Sequence, residues 1–171
     1  MIDFFHKSAS MTKRISGIAK LKGAPTVHAR HPRRITRIAE INDEEDTVKH
    51  LLLEVSSTAA ERQHGLMGRK SLPSICGMLF EGLSGGGYFW MKNCLIPLDI
   101  IFMNKSGCIT KVYSMPADDG KKHYDYDDDD VSAIEMQYGL CKSLGIVPGF
   151  NVIITDIAAK DKRSKEDDDD K

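Results

Sequence analysis

The stretch from 89 to 102, FWMKNCLIPLDIIF, decides the fold of this chain and carries its only tryptophan. It is apolar enough for a protein core except at Lys92, Asn93 and Asp99. An apolar run with turn signals on both sides predicts a buried strand. Polar groups inside a core cost free energy unless they are paired or used. These three side chains are therefore the most informative residues of the chain.

Shorter patterns around this stretch predict further strands and two short helices. Residues 51–56 alternate as a strand does, and Thr58 and Glu61 form a capping-box sequence at a helix start. Residues 104–107 form a turn between two apolar runs, which signals a hairpin. Residues 138–144 suit a second helix closed by Gly145, and strands are also predicted at 77–80, 131–137 and 150–157. The pattern predicts an α+β domain: a compact, mainly antiparallel, barrel-like sheet with two short helices.

The formal charge is −1 overall, but it is unevenly distributed along the chain. Residues 1–39 contain nine basic side chains against Asp3 alone, a local charge of +8. We therefore predict an extended basic N-terminal arm at 1–39, a globular domain at 40–158 and a charged C-terminal tail at 159–171. The apolar pattern of the globular part begins near Ile35.

The basic arm has three interpretations that the sequence leaves open. It is an organelle transit peptide, an arm that docks on nucleic acid or on an acidic protein surface, or a disordered tail. The predicted contact residues of a docking arm are Arg14, Arg30, Arg33, Arg34 and Arg37.

Several classes of protein find little support in the sequence. None of the four cysteines stands in a C-x-x-C pair, so no zinc or other metal site is expected. Three of them have apolar neighbours, which is typical of buried free thiols. Free thiols in turn favour a reducing compartment. No apolar run approaches the roughly 20 residues of a membrane span. Catalytic triads, nucleophile elbows and phosphate loops are missing. We expect no cofactor, and the sequence leans away from an enzyme.

The acidic run at 125–130 is the strongest local concentration of carboxylates in the globular part. Carboxylate oxygens attract hard cations. The run lacks the spaced ligands and the glycine of an EF-hand loop, however. We interpret it as a solvated acidic loop.

A set of motifs in one order resembles a known family. The motifs are STAAER at 57–62, GLMGR at 65–69, GMLF at 77–80, FWMKN at 89–93, IPLDI at 96–100, IE at 134–135, GI at 145–146 and PG at 148–149. Over roughly residues 48–157 they resemble the small bacterial and phage domains called domain of unknown function 192. The resemblance implies a compact, mainly antiparallel β domain with two short helices, and no established reaction. Phe150, where the family is usually acidic, and Cys94, where threonine is common, indicate a specialised member, as does the highly charged loop at 118–130.

The central stretch also supplies a candidate pocket. We favour a structural role for Lys92, either as a buried ion pair with Asp99 or with its stem laid over Trp90. The alternative is a tuned acid or base, or a clamp for a small ligand. Arg62 and Arg69 either bind an anion or tie the Gly-rich turn at 65–69 to a carboxylate such as Glu61 or Glu135. The candidate site residues are Trp90, Met91, Lys92, Asn93, Asp99, Arg62, Met67 and Arg69.

Three functions follow from these features. The first is a non-enzymatic structural or interaction protein, a rigid β domain that docks through its basic arm on a larger assembly, such as the capsid or tail proteins of a virion. The second is a small-ligand-binding protein or enzyme with a pocket around Trp90, Lys92, Asn93 and Asp99. The third is a nucleic-acid-binding accessory protein that uses the arm. The expected location is the cytoplasm during synthesis and, for the first function, the virion.

Overall fold

The computed structural model of the protein describes residues 35–42, 48–117 and 120–157. The strands are β1 (Arg37–Asn42), β2 (Val48–Ser56), β3 (Cys76–Glu81), β4 (Gly87–Trp90), β5 (Leu98–Asn104), β6 (Ile109–Met115), β7 (His123–Tyr126), β8 (Asp130–Gln137) and β9 (Asn151–Asp156). The helices are α1 (Ala59–His64) and α2 (Leu140–Leu144). The tail from 159 and the predicted arm contacts Arg14, Arg30, Arg33 and Arg34 lie outside the described residues.

Seven strands form one curled sheet in the order β6-β5-β8-β3-β2-β1-β9. Neighbouring strands are antiparallel except for β2 and β3, which run parallel. The two edge strands approach each other at one end, where Cys108 bridges to Asn151 and the Val152 amide donates to the Gly107 carbonyl over 2.9 Å. The sheet is thus a half-barrel, and the predicted α+β fold with a mainly antiparallel sheet is confirmed.

Both faces of this sheet are covered. One apolar cluster includes Met78, Phe80, Ile100 and Phe102. The other lies on the opposite face and includes residues that alternate with them along the same strands, such as Leu79 and Ile101. Because successive side chains of a strand point to opposite faces, β3 and β5 are apolar on both faces rather than alternating, apart from Asp99 near the start of β5. The β4–β7 ribbon packs Phe89 and Tyr124 against the first cluster.

Helix α1 begins, and helix α2 ends, where the sequence predicts. The Thr58 hydroxyl accepts a hydrogen bond from the Glu61 amide over 3.2 Å, and the Glu61 carboxylate accepts one from the Thr58 amide over 3.0 Å. This is the complete capping box of α1. Helix α2 ends at Leu144 and is capped by Gly145, whose φ of 65° glycine adopts without strain.

The stretch from 89 to 102 is not one strand, contrary to the sequence-based prediction. Strand β4 ends at Trp90 and β5 begins at Leu98. Between them the chain turns at Asn93, whose φ is 61°, and Pro97 has no amide hydrogen for a ladder. Lys92 and Asn93 are therefore exposed, whereas Asp99 is fully buried, as the strand pattern predicts.

Two further strands lie in regions that the sequence analysis assigned differently. Strand β1 begins at Arg37, so 37–39 of the predicted arm pair with β2 and β9. Arg37 belongs to the sheet and forms an ion pair with Asp156 of β9. Its role as a contact with a partner stays a prediction. Strand β7 crosses the acid-rich region after Pro116, with Tyr124 buried beneath its exposed neighbours.

The four thiols are free, and three of them, Cys76, Cys94 and Cys141, are buried. The described ranges contain no helix of the length and apolarity needed to cross a membrane.

Candidate functional site

The loop between β4 and β5 carries Lys92 and Asn93 to the surface. Met91 is fully buried beneath them, and the Cys94 amide closes the turn on the Met91 carbonyl over 3.0 Å. Asn93 is the only non-glycine with a positive φ in the described part of the chain. Asparagine is one of the few residues that tolerate this conformation. The loop thus holds two polar side chains in one fixed presentation.

A surface pocket of about 380 Å³ lies between this loop and helix α1. Its walls combine apolar, amide and basic side chains. The lining residues are Ala60, Gln63, His64, Met67, Trp90, Lys92 and Asn93. Four of the eight candidate site residues therefore meet at one place.

Two contacts join the walls of the pocket. The Gly68 amide donates to the Asn93 carbonyl over 2.9 Å, and the Asn93 side-chain amide lies 4.0 Å from the Met67 sulfur. The Lys92 ammonium lies 5.3 Å from the centre of the Trp90 ring. This distance is typical of a cation–π contact. It agrees with the interpretation that Lys92 extends over the Trp90 ring.

Asp99 lies elsewhere, on the other face of the sheet. Its carboxylate accepts hydrogen bonds from the Ser114 hydroxyl (2.7 Å) and from the Cys141 backbone amide (2.9 Å) at the start of α2. The expected Lys92–Asp99 ion pair is wrong, because the loop turns Lys92 outward while β5 directs Asp99 inward. Burial, and then the nearby Asp99 charge, raise the pKa of the Cys141 thiol to about 12, so the thiol stays protonated.

The two arginines of the motif tie the structure together without lining the pocket. Arg62 donates to the backbone carbonyls of Ser57 (2.6 Å) and Glu81 (3.0 Å), which fixes α1 to the end of β3. Arg69 forms two parallel hydrogen bonds with Glu54 of β2, of 2.6 and 2.5 Å. The carboxylate partner is therefore Glu54 rather than Glu61 or Glu135.

Sequence reasoning missed Glu54 and named Glu135 only as a possible partner of the two motif arginines. Glu54 and Glu135 are only 6% and 4% exposed. Burial raises the pKa of Glu135 to about 8, although the Arg69 charge acts in the opposite direction. Burial, and then the Glu54 charge, also raise the pKa of Cys76. The signal for this cluster was a glutamate directly between two apolar residues of its strand, Glu54 in LEV and Glu135 in IEM.

The acidic segment divides between surface and interior. Asp125, Asp127, Asp128 and Asp129 are exposed, whereas Asp130 is buried and accepts from the Thr110 hydroxyl and the Asp127 amide. Lys111 forms an ion pair of 2.7 Å with Asp127. Within the described ranges, no three His, Cys, Asp or Glu side chains are grouped as ligands for a metal ion.

The left-handed turn at Asn93 predicts a specific pattern of stabilities. Asn93→Ala should lower the free energy of unfolding by about 1 kcal/mol, because the left-handed conformation brings the alanine Cβ too close to the backbone. Asn93→Gly should stay within about 0.5 kcal/mol of wild type, since glycine adopts that φ freely. Urea unfolding of the two variants measures the difference. Equal losses in both would mean that the side chain, and not the backbone, matters there.

Comparison with known proteins agrees with this architecture. A protein of unknown function from Novosphingobium aromaticivorans DSM 12444 is 27% identical with a TM-score of 0.67, over 77% of this chain and 94% of that one. A crystal structure from Sinorhizobium meliloti 1021, provisionally described as a transcription regulator, is 24% identical with a TM-score of 0.66, over 69% of this chain and 92% of that one. No curated protein matches the chain. The sequence profile of DUF192, described as "Uncharacterized ACR", matches residues 39–154. The chain therefore belongs to the DUF192 family.

Proposed function

We propose that the domain is a non-enzymatic binding module that docks on a partner protein through the pocket between α1 and the loop of Lys92 and Asn93. One observation carries this proposal: the exposed Lys92 and Asn93 are held beside Trp90 and Met67 by a left-handed turn. Strained backbone that displays polar groups at a surface is a feature of ligand-contact sites.

The lining indicates the chemistry of the partner. Lys92, His64 and the amides of Gln63 and Asn93 provide donors for a carboxylate. Trp90 and Met67 provide apolar area beside them. A segment with an acidic side chain next to an apolar one fits both halves of the pocket.

The surface next to the pocket enlarges the contact area. Tyr88 is 51% exposed and stacks on His123 at 3.8 Å between ring centres, and its ring also meets the edge of Trp90. Tyrosine and tryptophan are enriched at protein interfaces, where they bury much area at low entropic cost. The pocket and this aromatic pair together form the proposed contact face.

The basic arm is a second contact element in this proposal. Three expectations about the arm stay predictions. They are docking on a larger assembly such as a virion, a cytoplasmic or virion location, and nucleic-acid binding through Arg14, Arg30, Arg33 and Arg34. An electrostatic contact by the arm would weaken steeply with salt, because counterion release scales with the number of charges neutralised.

Lys92→Met tests the pocket directly. The probe is an array of peptides that carry Asp or Glu next to Leu, Ile, Met or Phe, and the peptide bound most tightly is then titrated. We expect Lys92→Met to weaken binding at least tenfold, which is about 1.4 kcal/mol. The free energy of unfolding should change by less than about 0.5 kcal/mol, because Lys92 is exposed.

Lys105→Met is the matched control, since Lys105 is also exposed but lies in the β5–β6 turn. It should leave the affinity unchanged. Equal weakening in both variants would indicate non-specific charge attraction, and an array without any bound peptide would reject the proposed function.

A further inference from the structure

Two buried carboxylates lie in one row across the sheet. Glu54 of β2 is opposite Met78 of β3, and Met78 is opposite Glu135 of β8. Adjacent strands are about 4.8 Å apart, so the two glutamates stand on the same face roughly 10 Å from each other. Between them, Met78 is fully buried.

Arg69 connects this row to the pocket. Its guanidinium is held by Glu54, and it follows Met67 and Gly68 directly in the chain. Met67 lines the pocket, and the Gly68 amide donates to the Asn93 carbonyl. Any displacement of Arg69 therefore acts on two walls of the proposed contact site.

Glu135 differs from Glu54 in its surroundings. Its Oε2 atom is buried without a hydrogen-bond partner among the described residues. The charge that acts on Glu135 is that of Arg69, from the loop after α1. Arg69 also pairs with Glu54 of β2 and acts on the Cys76 thiol of β3. Since its pKa is raised to about 8, the side chain is a neutral acid at neutral pH and ionises in mildly alkaline solution.

We propose that the proton on Glu135 controls the binding site. While the proton is present, Arg69 is paired with Glu54 alone and holds the 65–69 segment against Asn93. When the proton leaves to solvent, Arg69 is shared between two buried carboxylates, the segment shifts, and the pocket binds its partner less tightly. This inference rests on the proposed function for its binding part, and its structural part can be tested without a partner.

The structural part is tested with ¹³C-labelled methionine methyl groups, whose signals do not exchange with water at high pH. Met78 reports on the row itself, Met67 on the pocket wall, and Met103 on the opposite face of the sheet. Between pH 7 and 9.5 we expect Met78 and Met67 to shift with one common midpoint near 8, while Met103 does not. Both shifts should vanish in Glu135→Gln or, if that variant does not fold, in Glu135→Met.

The binding part uses the tightest peptide of the array. Its affinity for the wild type should fall at least threefold between pH 7 and 9, and its affinity for Glu135→Gln should stay constant. A Met78 shift without a Met67 shift overturns the inference, as does an equal loss of affinity in wild type and Glu135→Gln. If no peptide binds at any pH, the proposed function fails, and the methyl shifts alone decide whether the proton moves the segment.

Discussion

Arg69→Met is expected to lower the free energy of unfolding by about 3–5 kcal/mol, the usual cost of removing one partner of a buried ion pair. The side chains of Arg69 and Glu54 are 14% and 8% exposed, and both carboxylate oxygens are used in the pair. Methionine replaces the apolar stem but leaves the Glu54 carboxylate buried without its cation. Urea unfolding at pH 7 measures the loss.

Arg62→Met is the matched control, because it is the same substitution in the same motif. Arg62 donates to two backbone carbonyls, and among the described residues no carboxylate pairs with it. We expect it to cost about 1–2 kcal/mol. The double variant Arg69→Met/Glu54→Gln should recover part of the loss, because position 54 then carries no buried charge without a partner. A loss of the same size for Arg62→Met and Arg69→Met would mean that the buried pair has no special role.

The periodicity of the sequence determined most of the fold, because strands and caps are local features. The capping box at Thr58, the glycine after α2 and the β5–β6 hairpin each depend on neighbouring residues, and the structure has all three. Residues 37–39 of strand β1 were assigned to the arm because the run of basic side chains extends to Arg37. Its partners β2 and β9 satisfy its backbone, and β9 begins more than a hundred residues later.

The candidate site was predictable to the extent that it is contiguous in sequence. Trp90, Lys92 and Asn93 were identified because they stand together, and Met67 because of its motif. Asp99 was assigned to the same pocket because one continuous strand seemed to join it to Lys92. A single left-handed residue, Asn93, breaks that continuity. The Glu54–Arg69 pair could not be read from the sequence, since its partners are chosen by strand order rather than by spacing.

The stability of the wild type is expected to fall as pH rises from about 4.5 to 8, relative to Glu135→Gln. The ordinary pKa of a glutamate is 4.5, and burial raises that of Glu135 in the folded protein to about 8. Between these values the unfolded chain has lost the proton and the folded chain still holds it. Raising the pH then favours the unfolded state. Above pH 8 both states are ionised, and the effect stops growing.

The size of this effect follows from linkage. Each pKa unit is worth about 1.4 kcal/mol, so a shift of three to four units amounts to roughly 4–5 kcal/mol. At pH 5 the amide of Glu135→Gln resembles the neutral acid, and the two proteins should differ by only about 1 kcal/mol. At pH 8.5 the variant should be the more stable protein. Urea unfolding of both proteins at pH 5, 6.5, 8 and 9 measures the difference, in which the other titrating groups cancel. Stability curves that run parallel over this range would show that Glu135 ionises normally and that its burial is relieved by water.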